Sequence, residues 1–267
     1  MESKKLVQKL MLAAATLSGA AFAQTAAAPA PAPAPEPASS LSYNIGAVTE
    51  YRYRGLSQTA REPALQGGID YADKSGWYVG TWGSTIKWIK DSSIPAGPQS
   101  KGPVEIDLYG GYKGAINDAL SFDVGGLQYW YAGNTLKNVT GENANTFELY
   151  GALTYNIFTA KYSHSLTNLF GTPNSKQSGY LDLSAAVDLG NGYSLTPHVG
   201  WQRIAHFGTY MDYALTGAKD LGNGLSVTLA VIGTNWKSHF GFPYTLPGSG
   251  TKDLGRANLV AGIKKTF

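Results

Sequence analysis

Hydrophobic and polar residues alternate with a period of two along most of the chain beyond residue 41. In "YLDLSAAVDL", for example, Leu181 and Leu183 share one face, and Asp182 and Ser184 share the other. Such alternation predicts β-strands that have one apolar and one polar face. About twelve such segments occur, most of about ten residues, which is the length that a tilted strand needs to cross a bilayer. They lie near residues 41–54, 63–72, 77–86, 104–113, 119–131, 146–155, 158–166, 178–189, 193–203, 209–219, 225–235 and 255–267.

The connections between these segments alternate between short and long. The pentapeptide "DLGNG" occurs at residues 188–192 and again at 220–224, each time between two alternating segments. Glycine and asparagine accept the positive φ that a tight hairpin turn requires. The connections "ADKSG", "GAIND" and "NI" are also short. The connections that alternate with these short ones are longer and polar, except the one around "IAHFG", which is short. This alternation predicts an all-β, up-and-down transmembrane barrel with short periplasmic turns, longer extracellular loops and both termini in the periplasm.

Residues 1–40 have a different composition. Residues 1–23 carry Lys4, Lys5 and Lys9, then a short apolar stretch, then Ala21-Phe22-Ala23. This order is typical of a cleaved secretory signal peptide, so we expect export through the inner membrane and an outer-membrane location. Residues 24–40 alternate alanine and proline, which favours an extended periplasmic spacer. The predicted barrel then occupies residues 41–267.

Composition and charge exclude several classes of function. The chain has no cysteine, so neither disulfides nor thiol chemistry are available, and no pair of histidines has a metal-ligand spacing. We therefore expect no metal and no cofactor. The 21 basic and 18 acidic residues include three lysines and one glutamate of the signal peptide, so the mature chain is nearly neutral and nucleic acid is not an expected partner.

A soluble sandwich or a lipocalin-like barrel would show the same alternation. The C-terminal stretch "RANLVAGIKKTF" favours the membrane barrel. It resembles the terminal signature that the barrel-assembly machinery recognises, with Leu259, Ala261 and Ile263 spaced by two before the last residue, Phe267. Lys265 departs from the apolar pattern. The expected partners are thus outer-membrane lipid and the assembly machinery, and the sequence leaves the oligomeric state open.

A family resemblance adds to this interpretation. The stretch "YRYRGLSQT" (Tyr51–Thr59) and the following "PALQGGIDYADKSGWYVGTWGS" (Pro63–Ser84) resemble the opening of the TorF family of porin-like bacterial proteins. The resemblance implies an outer-membrane barrel and a channel without an agreed substrate. It carries no catalytic or binding residues over to this chain.

The charged residues on the polar faces indicate a channel for small polar solutes or ions. If strands one and twelve close the barrel, Arg52, Arg54 and Arg256 lie near one another at its extracellular end. The acidic residues on the opposite wall are Glu105, Asp107, Glu148, Asp182 and Asp212. Opposed walls of this kind create a transverse field across a narrow water path. The same charges could instead pair and plug the barrel, since twelve strands lie between the filled interior of eight and the open channel of sixteen.

Two other functions remain open. An outer-membrane lipid hydrolase would need a serine and a histidine on the outer wall, and His164 with Ser178 is the one arrangement that resembles this. An interfacial histidine beside aromatic residues is the favoured explanation of His164. A closed structural or adhesion barrel is the other alternative. As for enzymes, the sequence contains neither a phosphate loop nor a G-x-S-x-G motif. We expect a protein that is not an enzyme.

Overall fold

A computed structural model describes residues 39–267, so the predicted signal peptide and residues 24–38 of the predicted spacer lie outside the described residues. The described chain forms fifteen strands in one large antiparallel sheet and one small hairpin. The strands are β1 (Ser39–Val48), β2 (Arg52–Tyr53), β3 (Leu56–Ser57), β4 (Ala64–Asp73), β5 (Trp77–Thr85), β6 (Val104–Ala115), β7 (Leu120–Trp130), β8 (Thr146–Tyr155), β9 (Phe158–Ser165), β10 (Gly179–Ala185), β11 (Val187–Gly190), β12 (Tyr193–Ile204), β13 (Gly208–Gly222), β14 (Leu225–Thr234) and β15 (Asn258–Thr266).

The large sheet closes into a barrel with twelve positions around its wall. We call each position a stave, and each stave is one strand or, in one case, two consecutive strands. Each stave pairs antiparallel with the next along the chain, and β1 closes the ring by pairing with β15 from Asn44–Thr266 to Val48–Gly262. β10 and β11 form one stave that is interrupted at Ala186, since both pair with β12. β2 and β3 pair only with each other. The predicted closed, all-β barrel of twelve strands is confirmed.

The two faces of the wall differ as the alternation predicts. Outward side chains are apolar and exposed, for instance Leu65, Leu149 and Leu229 at 66%, 47% and 52%. Inward side chains are mostly polar, small or tyrosine. Since the apolar belt surrounds the whole barrel, its stable environment is lipid, and the polar groups face the lumen. None of the helices within residues 39–267 combines the length and apolar character required to traverse a bilayer.

The two ends of the barrel differ in their connections. At one end, which we call the turn end, the repeated pentapeptides form tight turns: Asn191 and Gly192 have φ of 53° and 77°, and Asn223 and Gly224 have 52° and 73°. Positive φ at both central residues is the type I′ geometry that matches strand twist. The predicted role of "DLGNG" as a hairpin turn is confirmed.

The other end, which we call the loop end, carries the longer connections. They contain three short helices, α1 (Trp88–Asp91), α2 (Lys137–Thr140) and α3 (Trp236–Phe240), and two 3-10 turns, Leu169–Gly171 and Pro247–Ser249. The predicted first strand, residues 41–54, differs from the structure at this end. β1 ends at Val48, Thr49 still donates to the Ala261 carbonyl oxygen of β15, and the chain from Glu50 onward turns into the barrel.

Candidate functional site

The loop after β1, residues 49–63, folds into the lumen, and we call it the inner loop. Its hairpin, β2 and β3, turns at Arg54 and Gly55, whose φ values are 45° and 77°. Both values are positive, so this is again a type I′ turn, with an arginine in a position that usually favours asparagine or glycine. Tyr51 is 1% exposed, Arg52 5% and Arg54 8%. The inner loop thus fills the lumen toward the loop end.

Arg54 connects the tip of the hairpin to two separate strands of the wall, β8 and β12. Its guanidinium donates to Glu148 Oε2 at 2.7 Å and to Gln202 Oε1 at 2.5 Å. It also lies 4.2 Å from the ring centroid of Tyr180 and 4.7 Å from that of Tyr53. Because the side chains of Arg54 and Glu148 are only 6% and 2% exposed, this is a buried ion pair. Glu148 and Arg54 are in direct contact, with no water path between them.

Arg52 fixes the base of the same hairpin. Its Nη2 lies 2.9 Å from Glu50 Oε1, and its Nη1 donates to the carbonyl oxygens of Gly55 and Ile232 at 2.9 and 3.3 Å. Glu50 also accepts a hydrogen bond of 2.6 Å from Asn258 Nδ2. Arg52 therefore binds within the inner loop and to β14, and Glu50 connects the loop to β15.

Two further acidic side chains from β6 face the inner loop. The Tyr51 hydroxyl donates to Glu105 Oε1 at 2.6 Å. Asp107 is fully buried, and within residues 39–267 neither of its carboxylate oxygens has a hydrogen-bond partner. Glu105 and Asp107 lie two residues apart on the same inward face, so both predicted acidic residues point into the lumen.

The remaining two predicted acidic residues are joined by a histidine. His198 Nε2 lies 2.8 Å from Asp212 Oδ1, and His198 Nδ1 lies 3.3 Å from Asp182 Oδ2. The Tyr180 hydroxyl also donates to Asp212, at 3.2 Å. The sequence places His198 on the inward face but does not indicate this bridge, because the three residues come from three strands.

The lumen toward the turn end holds a second charged group that the sequence analysis did not single out. Tyr78 donates to Asp123 at 2.5 Å, and Tyr109 donates to Asp70. Lys161 Nζ lies 4.0 Å from the ring centroid of Tyr150. The inward parity of these residues was the available signal. Both signs of charge therefore continue along the lumen beyond the inner loop.

Arg256 lies apart from the other two predicted arginines. It is exposed on the connection before β15, and its backbone N–H donates to Asp253 Oδ1 at 3.2 Å. The structure thus brings Arg52 and Arg54 together on the inner loop and leaves Arg256 at the loop-end surface. That these residues line a conducting path stays a prediction.

The predicted assembly residues lie on the outer wall of β15, and Phe267 directly follows its turn end. Phe267 is 69% exposed, and its backbone pairs with Tyr43 through hydrogen bonds of 2.8 and 3.3 Å. Leu259 and Ile263 face outward, at 57% and 49% exposure. Lys265 Nζ donates to the carbonyl oxygen of Asn223, at the neighbouring turn. Their role in assembly stays a prediction.

The residues considered for lipid hydrolysis do not form a catalytic pair. The Ser178 hydroxyl is buried, donates to the Ser175 carbonyl oxygen at 2.6 Å and accepts from the Ala205 N–H at 3.0 Å. His164 faces outward, and its Nδ1 lies 3.5 Å from the Tyr162 hydroxyl. The serine is therefore engaged in the loop and is not presented to the outer wall. Within residues 39–267 no group of histidine and acidic side chains could hold a metal ion.

A charged cluster at the loop-end surface connects three loops. Glu62 Oε1 lies 2.7 Å from Lys87 Nζ and 3.3 Å from Lys252 Nζ. The hydrogen bond from Lys87, with a smaller contribution from Lys252, holds the pKa of Glu62 below its ordinary value. Asp91 in α1 has the opposite shift, since burial raises its pKa. The cluster connects the inner loop to the loops after β5 and β14.

The closed twelve-stave wall, apolar outside and polar inside, defines a transmembrane β-barrel. The chain matches the family described as "Bacterial protein of unknown function (Gcw_chp)" over residues 32–267, and it belongs to that family. A comparison with curated protein sequences finds no significant match.

Two solved porins have a similar fold. The structure titled "KdgM porin in complex with disordered oligogalacturonate" aligns with a TM-score of 0.52 and 8% identity, over 86% of this chain and 99% of that one. The NanC porin aligns with a TM-score of 0.53 and 10% identity, over 85% and 99% of the two chains. At this level of identity the likeness extends to the fold.

Proposed function

We propose that this protein is an outer-membrane channel for passive diffusion of small polar solutes or ions, and that it belongs among the TorF porin-like proteins. The observation that supports this most directly is the polar lumen, which carries charges of both signs from the inner loop to the turn end. A barrel that served only as a stable structure would be more stable with apolar side chains in its lumen, since buried charges cost desolvation energy. The porin folds of the two solved neighbours support the same function.

The inner loop is the narrowest part of the proposed path. Its hairpin occupies the lumen near the loop end, and Arg54 at the hairpin tip binds β8 and β12. We therefore expect a small conductance, limited by the inner loop. The charges that set ion preference are those of Glu105, Asp107 and Glu148 beside it and of Lys161 beyond it, because a low-dielectric wall focuses their field into the water.

Planar-bilayer recording of the purified protein tests this function. We expect small, discrete channel currents from the native protein and currents several-fold larger after the hairpin Arg52–Ser57 is replaced by a short glycine-serine link. The matched control is the same replacement at Ile94–Pro98, an exposed segment of a different loop, which should leave conductance unchanged. The absence of current from both the native protein and the hairpin variant would reject the channel.

Measurements of ion selectivity test whether the charged residues line the conducting path. Replacing Glu105 and Asp107 by glutamine and asparagine should shift the reversal potential toward anions, most strongly at low salt, where screening is weakest. Replacing Arg52 and Arg54 by alanine should shift it toward cations. Leu149→Ala, on the outer face, is the control and should change neither. Unchanged reversal potentials in both charge variants would show that these residues do not line the path.

A closed structural barrel is the second candidate. The buried contact between Arg54 and Glu148 favours it, because the two charges neutralise each other where the path would be narrowest. Swelling of proteoliposomes in small sugars separates the two functions. Swelling by the native protein supports the channel, and no swelling together with no current supports the closed barrel.

A further inference from the structure

One sector of the outer wall carries ionisable side chains near the loop end. On the loop-end halves of the described strands, all outward positions except two carry uncharged side chains. His164 on β9 and Arg203 on β12 are the exceptions, and both follow the outward parity of their exposed neighbours Tyr162 and Trp201. A charged side chain at the lipid-facing surface is costly unless it reaches the head-group level, so its position there needs a partner.

The strand register places these residues in one row across the wall. Gly179 of β10 pairs with His164 on one side and with Arg203 on the other, and Arg203 pairs with Thr209 of β13. With strands about 4.8 Å apart, His164 and Arg203 are separated by roughly 10 Å. His239, which follows β14, extends the row, since its Nε2 lies 3.1 Å from Thr209 Oγ1.

The Tyr162 hydroxyl covers the centre of the row, and further polar groups lie around it. Gly179 has no side chain, and a Cβ there would overlap the Tyr162 hydroxyl. That hydroxyl lies 3.5 Å from His164 Nδ1. On the other side, Arg203 Nη1 donates to the Gln177 carbonyl oxygen at 3.0 Å, which orients the guanidinium and leaves its other N–H groups available. Polar side chains of β9 and β12 thus flank Gly179 of β10 on both sides.

The surface next to this row, toward the middle of the membrane, is apolar and aromatic. Tyr162, Trp201 and Tyr213 are 50%, 39% and 44% exposed on the same outer wall. Outward aromatic residues mark the boundary between hydrocarbon and head groups. The row therefore lies at the head-group level, and no acidic side chain faces outward beside it on the loop-end halves of β9, β10, β12 and β13.

We propose that this sector, formed by Arg203, His164, the Tyr162 hydroxyl and His239, binds the phosphate of an outer-leaflet lipid. Arginine matches phosphate because its planar fork can donate two parallel hydrogen bonds. The acyl chains of the lipid would lie along the exposed aromatic and aliphatic side chains below the row. The proposal depends on the outer-membrane location within the proposed function, and it does not depend on conduction.

Lipid titration followed by native mass spectrometry tests the proposal. The intact barrel in neutral detergent is titrated with phosphatidic acid, with diacylglycerol of the same chains, and with inorganic phosphate. We expect at least tenfold tighter binding of phosphatidic acid than of diacylglycerol, and weak binding of inorganic phosphate. Arg203→Gln should abolish most of the difference between the two lipids, and His239→Gln should reduce it.

The matched control is Lys265→Gln, which removes an outward-facing cation at the turn end and should leave lipid binding unchanged. Heat-modifiable gel mobility verifies that each variant folds. Equal binding by the native protein and Arg203→Gln would overturn the proposal. So would equal binding of diacylglycerol, or binding of inorganic phosphate as tight as that of phosphatidic acid. Unchanged conductance of Arg203→Gln is expected in every case, so failure of this site and failure of the channel are distinguishable.

Discussion

Arg54 provides the sharpest test of how the inner loop is held. Its guanidinium compensates the charge of Glu148, whose side chain is 2% exposed, and it also binds Gln202. Removing one partner of a buried ion pair leaves the other charge uncompensated, which costs about 3–5 kcal/mol. We therefore expect Arg54→Ala to lower the free energy of unfolding by about that amount.

The backbone conformation of Arg54, in contrast to its side chain, lowers the free energy of unfolding. Its φ of 45° costs a residue with a Cβ roughly 1–2 kcal/mol, whereas glycine adopts it freely. Arg54→Gly should therefore be less destabilising than Arg54→Ala by about 1 kcal/mol. The native arginine remains in this strained position because its side-chain contacts exceed the strain.

A double-mutant cycle isolates the pair. Since a buried ion pair replaced on both sides is often close to neutral, Arg54→Met combined with Glu148→Gln should cost less than the sum of the single changes by about 2 kcal/mol or more. Urea unfolding of the protein in lipid vesicles, followed by tryptophan fluorescence, measures these free energies. The control is Arg256→Ala on the exposed connection, expected within about 0.5 kcal/mol of the native protein. Additive single changes, or an Arg54→Ala cost below about 1 kcal/mol, would refute this account.

Three further predictions concern the turn of the hairpin, the terminal residue and the surface cluster. Gly55→Ala would place a Cβ 2.7 Å from that of Asp212, so we expect a displaced hairpin and a larger bilayer conductance. The control is Gly133→Ala, which has a similar positive φ but no atom within 4 Å of the added Cβ, and it should leave conductance unchanged. Deleting Phe267 should reduce the amount of assembled barrel, as measured by heat-modifiable gel mobility; normal assembly would place recognition elsewhere. Because the pKa of Glu62 is lowered, its contribution is present above the ordinary glutamate pKa and is lost as pH falls through the lowered value. Glu62→Gln should thus cost less than about 1 kcal/mol at pH 7 and nothing once the native glutamate is protonated, as measured by unfolding at both pH values.

The alternation of side chains was sufficient to predict the wall. A strand between lipid and a polar lumen must alternate, and the tight turns need residues that accept positive φ, so both leave a local signal in the sequence. The first strand shows where this signal fails. Tyr51 and Tyr53 continue to alternate with Arg52 and Arg54 beyond Val48, so the pattern alone gives no end to the strand. The turn at Arg54 and Gly55 also lacks the usual asparagine.

The contacts of the lumen needed the three-dimensional structure. Arg54 binds residues that lie 94 and 148 positions away, and His198 connects Asp182 with Asp212 across neighbouring strands. Parity shows that a side chain points inward, but it does not show which partner it meets or whether a loop lies between them. This is why the sequence indicated opposed charged walls and the structure shows direct pairs.

The position of the inner loop inside the barrel also has a consequence for the order of folding. The hairpin follows β1 near the start of the barrel, yet its contacts include β7, β8, β12, β13 and β14, and Arg52 binds a carbonyl oxygen 180 residues later. Those partners exist only after most of the wall has formed, and closing such long loops is slow compared with pairing neighbouring strands. We therefore expect a state in which the ring of strands is nearly complete and the hairpin has not yet entered. In that order, insertion of the hairpin follows the formation of the last strands and depends on them.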